Sequence, residues 1–290
     1  MIWSTWRQHR PEALACLAGL AAAAAAILYA DASVGLLRTN TDLVQDIRLA
    51  LMAAPLLVGV FVGAPLVARD LEQGTHRLVW TQGTTRSRWL RVKLLLVFSV
   101  VAAAAALLAG LLTAALFSTP EHVDRWYWFD FLAPAFVAYV VFALWLGIAL
   151  GAVIGRTYPA MAATLVLFVV ARAVVEGILR PRYLPPLSIR IVDFGTIDIP
   201  RGMSADWPVG YAYYDAHGHP MSLDDILALM NRDRVSIPTP NLAAHGLSGW
   251  AYFQPDARFW LFQGIETAIF LGLAALLAGL AYHWLARRVT

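Results

Sequence analysis

Six long apolar stretches dominate this sequence and constrain its fold more than any other feature. Crossing a hydrocarbon core of about 30 Å takes about 20 helical residues, at about 1.5 Å each. With 60% apolar and only 14% charged residues, the chain has too few polar side chains to cover the surface of a water-soluble protein. The sequence therefore predicts an all-α polytopic membrane protein with six transmembrane helices. The stretches lie near 13–30, 49–68, 94–117, 131–154, 159–179 and 259–286.

The first stretch has a second interpretation, as a cleaved signal peptide with its cleavage site at residues 30–32. The core of a signal peptide has about 7–15 apolar residues, and this stretch is longer, so we expect a retained span. The segment before it, 1–12, carries Trp3 and Trp6 and predicts a short helix on the inner membrane surface. An ordinary flanking tail is the alternative for that segment.

Basic residues are distributed unevenly between the loops. With the N-terminus inside, eleven Lys and Arg residues fall on the cytoplasmic side, against three in the two short outer loops. Because short cytoplasmic loops carry an excess of Lys and Arg, we expect both termini in the cytoplasm. The first five transmembrane helices then lie within 13–179, and the sixth helix with a cytoplasmic tail within 259–290.

The segment 180–258 has a different composition, rich in Pro, Gly, Asp and aromatic residues. Residues 211–214, followed by the polar run 215–218, predict a strand and a turn. Ser222, with Asp225 three positions later, predicts a capping box that opens a helix. We therefore expect a small α+β extracytoplasmic domain between helices five and six.

No catalytic or nucleotide-binding constellation is visible. A phosphate-binding loop ends in Lys-Ser/Thr, whereas the single lysine, Lys93, is followed by two leucines. Cys16 is the only cysteine, the run 246–250 lacks the last glycine of a nucleophile elbow, and His217 and His219 stand alone in a polar turn. We expect no enzymatic activity and no metal. The net charge of only +3 also speaks against a nucleic-acid partner.

The inner loop 69–93 carries the most informative pattern. An acidic residue just inside a span precedes Gly-Thr, an apolar and basic helical turn, a polar break, an arginine, and a lysine that opens the next span. This pattern resembles the type-2 family of ATP-binding-cassette (ABC) transporter permeases, in which a cytoplasmic coupling helix joins spans two and three. The proline that the family often has near the break is absent here, and the runs 5–10 and 80–82 look like an actinobacterial subgroup. The matching residues are Glu72, Gly74, Thr75, Arg86 and Lys93.

The chemistry of this loop suits a docking surface. Residues 78–80 form an apolar patch that is surrounded by arginines, and an apolar anchor with a charged rim gives a small interface both affinity and register. The alternative is a basic inner loop that binds no partner. The predicted ATPase-docking residues are Glu72, Gly74, Thr75, Arg77, Leu78, Trp80 and Arg86.

The resemblance implies the membrane-spanning permease subunit of an exporter in the plasma membrane of a bacterium. It implies two permease subunits, identical or different, and two separate ATPase subunits. Those partners would bind ATP and Mg, this chain would bind no cofactor, and membrane lipids would surround it. Two rivals stay open: a secondary transporter, which would normally show internal repeats, and a non-transporting signalling or immunity membrane protein.

Three ionisable residues stand inside the predicted spans. Arg172 and Glu176 are four residues apart on the fifth span and share a face, while Glu266 lies in the sixth. An isolated charge at the centre of a span costs about 2.5–3.5 kcal/mol, so these side chains should pair or reach water. Their distances from the span ends place them in the outer third, where they can form one cluster. A packing or outer-gate ion pair is one interpretation, and direct substrate contact is the other.

Glycines recur at four-residue spacing on two spans. Gly59 and Gly63 do so on the second span, and Gly147, Gly151 and Gly155 on the fourth. Small residues at this spacing let helices approach closely. We predict that these glycines serve helix packing, with a substrate groove as the alternative.

Overall fold

The chain forms two compact units. The computed structural model describes residues 41–72, 86–117, 124–191, 206–222, 224–226, 228 and 246–288. Within these, the first unit comprises 41–117, 128–177 and 263–288, and the second comprises 124–127 and 178–262. The predicted segment 1–12 and the predicted first span 13–30 lie outside the described residues.

Long apolar helices account for most of the structure. Five helical stretches within the described ranges are long and apolar enough to cross a membrane, and they coincide with the second to sixth predicted spans. Two of them contain a π-helical segment, at Val58–Gly63 and Val175–Leu179. The α-helices are α1 (Thr41–Leu57), α2 (Ala64–Glu72), α3 (Arg86–Phe117), α4 (Ala135–Ile154), α5 (Thr157–Val174) and α6 (Phe259–Arg288).

Helix α4 is the core of the first unit. Of its 18 most apolar consecutive residues, 72% are buried, against 22% in the corresponding parts of the stretches that contain α5 and α6. It packs against α1, α2, α3, α5 and the first π-helical segment. Because α5 and α6 leave large apolar side chains exposed over most of their length, these helices have the composition of surfaces that face lipid.

Four glycines bring two helical stretches into backbone contact, and we call this set the glycine seam: Gly59, Gly63, Gly147 and Gly151. A Cβ atom added to Gly147 would lie 2.2 Å from the carbonyl oxygen of Gly59, and one added to Gly151 would lie 2.5 Å from that of Ala64. A Cβ atom added to Gly59 would lie 2.7 Å from the carbonyl oxygen of Ala143 in α4, and one added to Gly63 would lie 2.6 Å from that of Leu144. No side chain fits at any of the four positions, which explains why glycine stands there.

The four-residue spacing predicts that Gly155 serves helix packing, whereas the structure places it at the end of α4. It lies one residue past α4 with a φ of 68°, and its N–H donates to the carbonyl oxygen of Gly151 at 3.0 Å. This left-handed C-cap ends the helix, a conformation that costs a residue with a Cβ about 1–2 kcal/mol. Helix α5 begins two residues later, so Gly155 forms the tight turn between α4 and α5.

The second unit contains a four-stranded antiparallel sheet in the order β1-β4-β2-β3. Ala251 of β4 lies opposite both Ile189 of β1 and Tyr211 of β2, so β4 is central. Ile226 and Leu247 form its buried core. The strands are β1 (Leu187–Ile191), β2 (Trp207–Tyr214), β3 (Pro220–Met221) and β4 (Ser248–Gln254).

Two local predictions for this unit are confirmed. Strand β2 turns back into β3 through Asp215, whose carboxylate accepts the backbone N–H groups of His217 and His219 at 2.8 Å each. These bonds, the one from the His219 N–H above all, lower the pKa of Asp215. The capping box is also present: the Asp225 carboxylate accepts from the Ser222 hydroxyl at 2.7 Å and from its N–H at 2.9 Å, which lowers the pKa of Asp225.

Candidate functional site

A buried lysine bridges α2 and α3, the helices on either side of residues 73–85. Lys93, near the start of α3, donates from Nζ to the carboxylate of Asp70 at 2.6 Å and to the carbonyl oxygen of Leu66 at 2.8 Å. Lys93 is only 3% exposed, and a buried ammonium is stable only when it is paired in this way. These three residues, the loop clamp, join the two helices that flank residues 73–85.

Glu72, the last residue of α2, is bonded to a helix far away in the sequence. Its Oε2 accepts from the backbone N–H of Thr157 at 3.0 Å and from the Thr157 hydroxyl at 2.8 Å. Thr157 is the first residue of α5, where the backbone N–H groups have no partner within the helix. The carboxylate therefore caps α5, and an anion at a helix N-terminus is electrostatically favourable.

The other predicted docking residues are placed only in part. Glu72 ends α2 and Arg86 begins α3, on the two sides of the loop. The predicted residues outside the described ranges are Gly74, Thr75, Arg77, Leu78 and Trp80.

A second polar site is buried in the first unit around Arg172. Its guanidinium donates to Glu266 at 3.1 Å and to Asp130 at 2.9 Å, and it lies 3.6 Å from Glu176. The hydroxyl of Tyr139 donates to Glu266 at 2.6 Å and lies 3.3 Å from Asp130. Glu266 is fully buried, and Arg172 is 8% exposed. This Arg172 network joins α4, α5 and α6, so a shift of any one of these helices changes its pairing.

Aromatic rings complete the surroundings of the guanidinium. The Arg172 Cζ lies 3.9 Å from the ring centroid of Tyr139 and 5.8 Å from that of Phe270. These two rings pack edge to face, with their centroids 4.9 Å apart. A cation over aromatic faces gains about 2 kcal/mol when it is desolvated, which helps to offset the cost of burying Arg172.

Gln263 lies one turn before Glu266 on the same face of α6, and its side chain holds the segment that precedes α4. Its side chain is fully buried; it donates to the carbonyl oxygen of Phe129 at 2.7 Å and accepts the N–H of Ala135 at 3.1 Å. These bonds fix the position of Asp130, which lies between the two bonded residues.

The structure brings together all three of the predicted intramembrane charges and adds two residues that the sequence analysis missed. Asp130 lies directly before the predicted fourth span, 131–154, and Tyr139 lies within it; no role was predicted for either. An acidic residue that immediately precedes a predicted span, as Asp130 does, is the available signal. Tyr139 carries no such signal, since its spacing from Arg172 and Glu266 is long.

The histidines of the β2–β3 turn are held by the turn itself. The Nδ1 atom of His219 lies 3.2 Å from Asp215, and that of His217 lies 3.9 Å from the same carboxylate. Over the residues that the structure describes, no group of three or more His, Cys, Asp or Glu side chains could hold a metal ion.

Comparison with known proteins identifies the family. A family model described as ABC-2 membrane transporter related matches residues 9–180. That range is more than half of the chain and contains the loop 69–93, the glycine seam, and Arg172 with two of its carboxylates. Comparisons with curated proteins and with solved structures each return no match. With its several membrane-spanning helices, the chain is a multi-pass membrane protein of the transporter permease type, and it belongs to the ABC-2 membrane transporter related family.

Proposed function

We propose that this chain is the permease subunit of an ABC exporter, in which a separate ATPase subunit docks on the loop 69–93 and drives substrate across the membrane. The family membership supports this, since ABC-2 permeases generally work with an ABC ATPase. The complex would contain two permease and two ATPase subunits in a bacterial plasma membrane. The ATPase subunits would hold the nucleotide and Mg, and this chain would supply no catalytic group.

The single observation that carries the proposal is the anchorage of the residues that flank 73–85, through the loop clamp and through Glu72. A loop that only connects two spans needs no anchorage, but here both of its ends are held by buried or multiply bonded polar groups, Lys93 with Asp70 and Glu72 with Thr157. Such anchorage lets a force applied to residues 73–85 act on the helices instead of being absorbed by the loop. The Arg172 network would then serve as an outer gate whose ion pairs exchange when the helices move.

Co-purification tests the proposal directly. We expect an ATPase subunit to come down with the wild-type chain from its own cells. Trp80→Ala and Arg86→Glu should each release it while membrane insertion is unchanged. Arg190→Glu is the matched control, because it makes the same charge change at an exposed residue of β1 in the predicted extracytoplasmic domain.

The outcomes separate the rivals. If no ATPase accompanies the wild-type chain and transport persists without ATP, the chain is a secondary transporter. If an ATPase is bound but unaffected by either loop variant, the loop is not the docking surface. A complex that hydrolyses ATP but moves nothing out of cells would identify the signalling or immunity protein.

A further inference from the structure

The bond between Glu72 and Thr157 spans 85 positions of the sequence and joins the end of α2, next to the proposed docking loop, to the start of α5. Glu72 directly precedes residues 73–85, and Thr157 opens α5. Both hydrogen bonds use the same carboxylate oxygen, one from the backbone and one from the hydroxyl. A hinge at the end of α2 would need a free end, whereas this end is held.

The start of α5 has no cap of its own. Arg156, which occupies the N-cap position, makes no side-chain cap bond. The residues usually found at that position are Ser, Thr, Asp and Asn, each of which can accept from the first turn. Glu72 supplies the missing acceptor instead, so the geometry at the start of α5 depends on where α2 ends.

The contact is backed by close packing. Ala64 and Ala68 of α2 and Ala160 of α5 are fully buried against one another, with Ile154 and Met161 packed around them. Alanine contacts of this kind leave little room for one helix to slide past the other without moving it. A displacement of the end of α2 must therefore move the start of α5 or break both bonds to Thr157.

We infer that Glu72 is a positioning residue that transfers the displacement of the docking loop to α5, the helix that carries Arg172. The inference rests on the proposed function, and it assigns Glu72 to contact within the permease instead of contact with the ATPase. Loop movement would reach the Arg172 network along α5, since both Thr157 and Arg172 belong to that one helix.

The test follows the start of α5 in the complex with its ATPase. Tyr158 is 81% exposed, so a spin label at Tyr158→Cys, in a background without the native cysteine, reports on the start of α5 with little disturbance. The measurement is the change in its spectrum when the non-hydrolysable nucleotide AMP-PNP with Mg is added. ATPase content is quantified in the same samples.

We expect the wild-type complex to show a nucleotide-induced change and Glu72→Leu to lose it. Glu72→Gln keeps an acceptor oxygen for Thr157 and should retain the change. Thr157→Val loses only the hydroxyl bond and should give an intermediate change with its ATPase still bound. A residue with a merely structural role would lower the yield of folded complex but leave the response of the folded fraction unaltered, in Glu72→Leu as in Glu72→Gln.

Several results would overturn the inference. These are an unchanged response in Glu72→Leu, an equal loss in Glu72→Gln, or a wild-type complex that binds its ATPase but shows no response. Loss of the ATPase from Glu72→Leu, with retention in Thr157→Val, would make Glu72 a docking contact and refute the inference while the proposed function stands. If Glu72→Leu does not fold, the Glu72→Gln and Thr157→Val responses decide. Absence of any ATPase from the wild-type chain would instead refute the proposed function.

Discussion

Replacing Gly147 by alanine should break the glycine seam and destabilise the first unit. The added methyl group would lie 2.2 Å from the oxygen of Gly59, 2.6 Å from the nitrogen of Ala64 and 2.9 Å from the carbonyl carbon of Gly63. All three are backbone atoms, so no side-chain rotation relieves the clash. Ordinary contacts of a Cβ begin at 3.4 Å, which means that α4 must withdraw by about 1 Å.

The magnitude follows from what that withdrawal opens. A gap of about 0.5–1 Å forfeits about a quarter to a half of the dispersion energy of the atoms that line it, and the seam is lined by four glycine contacts at once. Overpacking a core costs about 1–3 kcal/mol, and a rigid backbone neighbour places this site at about 3 kcal/mol. At about 2.1 cal/mol/K per residue, the unfolding entropy of this 290-residue chain is about 0.6 kcal/mol/K, so the melting midpoint should fall by roughly 5 °C.

Gly110→Ala is the matched control. Gly110 lies within α3, and an added Cβ there meets nothing within 4 Å. The same chemical change should therefore leave stability unaltered or raise it by up to about 1 kcal/mol, because alanine favours the helix. Thermal unfolding of the detergent-solubilised protein, followed by size-exclusion chromatography, measures both variants. Equal midpoints for the two would refute the reasoning, and a stable Gly147→Ala protein that no longer transports would favour the substrate groove.

Three further predictions concern charge and topology. Arg172→Leu should cost about 3–5 kcal/mol because it leaves the buried Glu266 carboxylate without its cation, and Arg172→Leu with Glu266→Leu should cost less. A double-mutant cycle on folded yield measures this, and additive losses would argue against the pairing. In a chain without native cysteine, an impermeant thiol reagent should label His217→Cys from outside and not Thr84→Cys, and the opposite result would reverse the topology. The pKa of Asp225 is lowered in the folded state, so its carboxylate should stabilise the helical turn fully at pH values above the ordinary aspartate pKa of about 3.9 and lose that effect as the pH falls through its lower folded pKa. Amide hydrogen exchange in the turn, compared with that of Asp225→Asn, measures this. An identical pH dependence in both proteins would contradict it.

The sequence predicted what depends on local chemistry. Five of the six apolar stretches correspond to helices that could cross a membrane, because apolar length alone decides that property. The hairpin at Asp215 and the capping box at Ser222 were also predicted, since each is closed by hydrogen bonds within four residues. In such cases the neighbours that define the structure are neighbours in the chain.

The sequence did not predict which distant residues meet. Glu72 and Thr157 are 85 positions apart, and Arg172 and Asp130 are 42 apart. Their pairing depends on the rotation of each helix about its axis, and the π-helical segment at Val58–Gly63 changes that rotation without a sequence signal. Spacing likewise marked the glycines as small-residue rows but could not show that Gly155 ends its helix.

The contrast between the glycine seam and the Arg172 network indicates where the first unit can change shape. Backbone atoms that already touch, as at Gly147 and Gly59, cannot slide without a large cost, so α2, the first π-helical segment and α4 should move together. The guanidinium of Arg172, by contrast, faces carboxylates at 2.9, 3.1 and 3.6 Å, and it can exchange one for another while its charge stays paired. A displacement that enters at the end of α2 should therefore not be absorbed in the rigid seam; it should pass through Glu72 to α5 and be taken up at this network. Under the proposed function, that places the step that opens or closes the pathway at Arg172 and not at the loop.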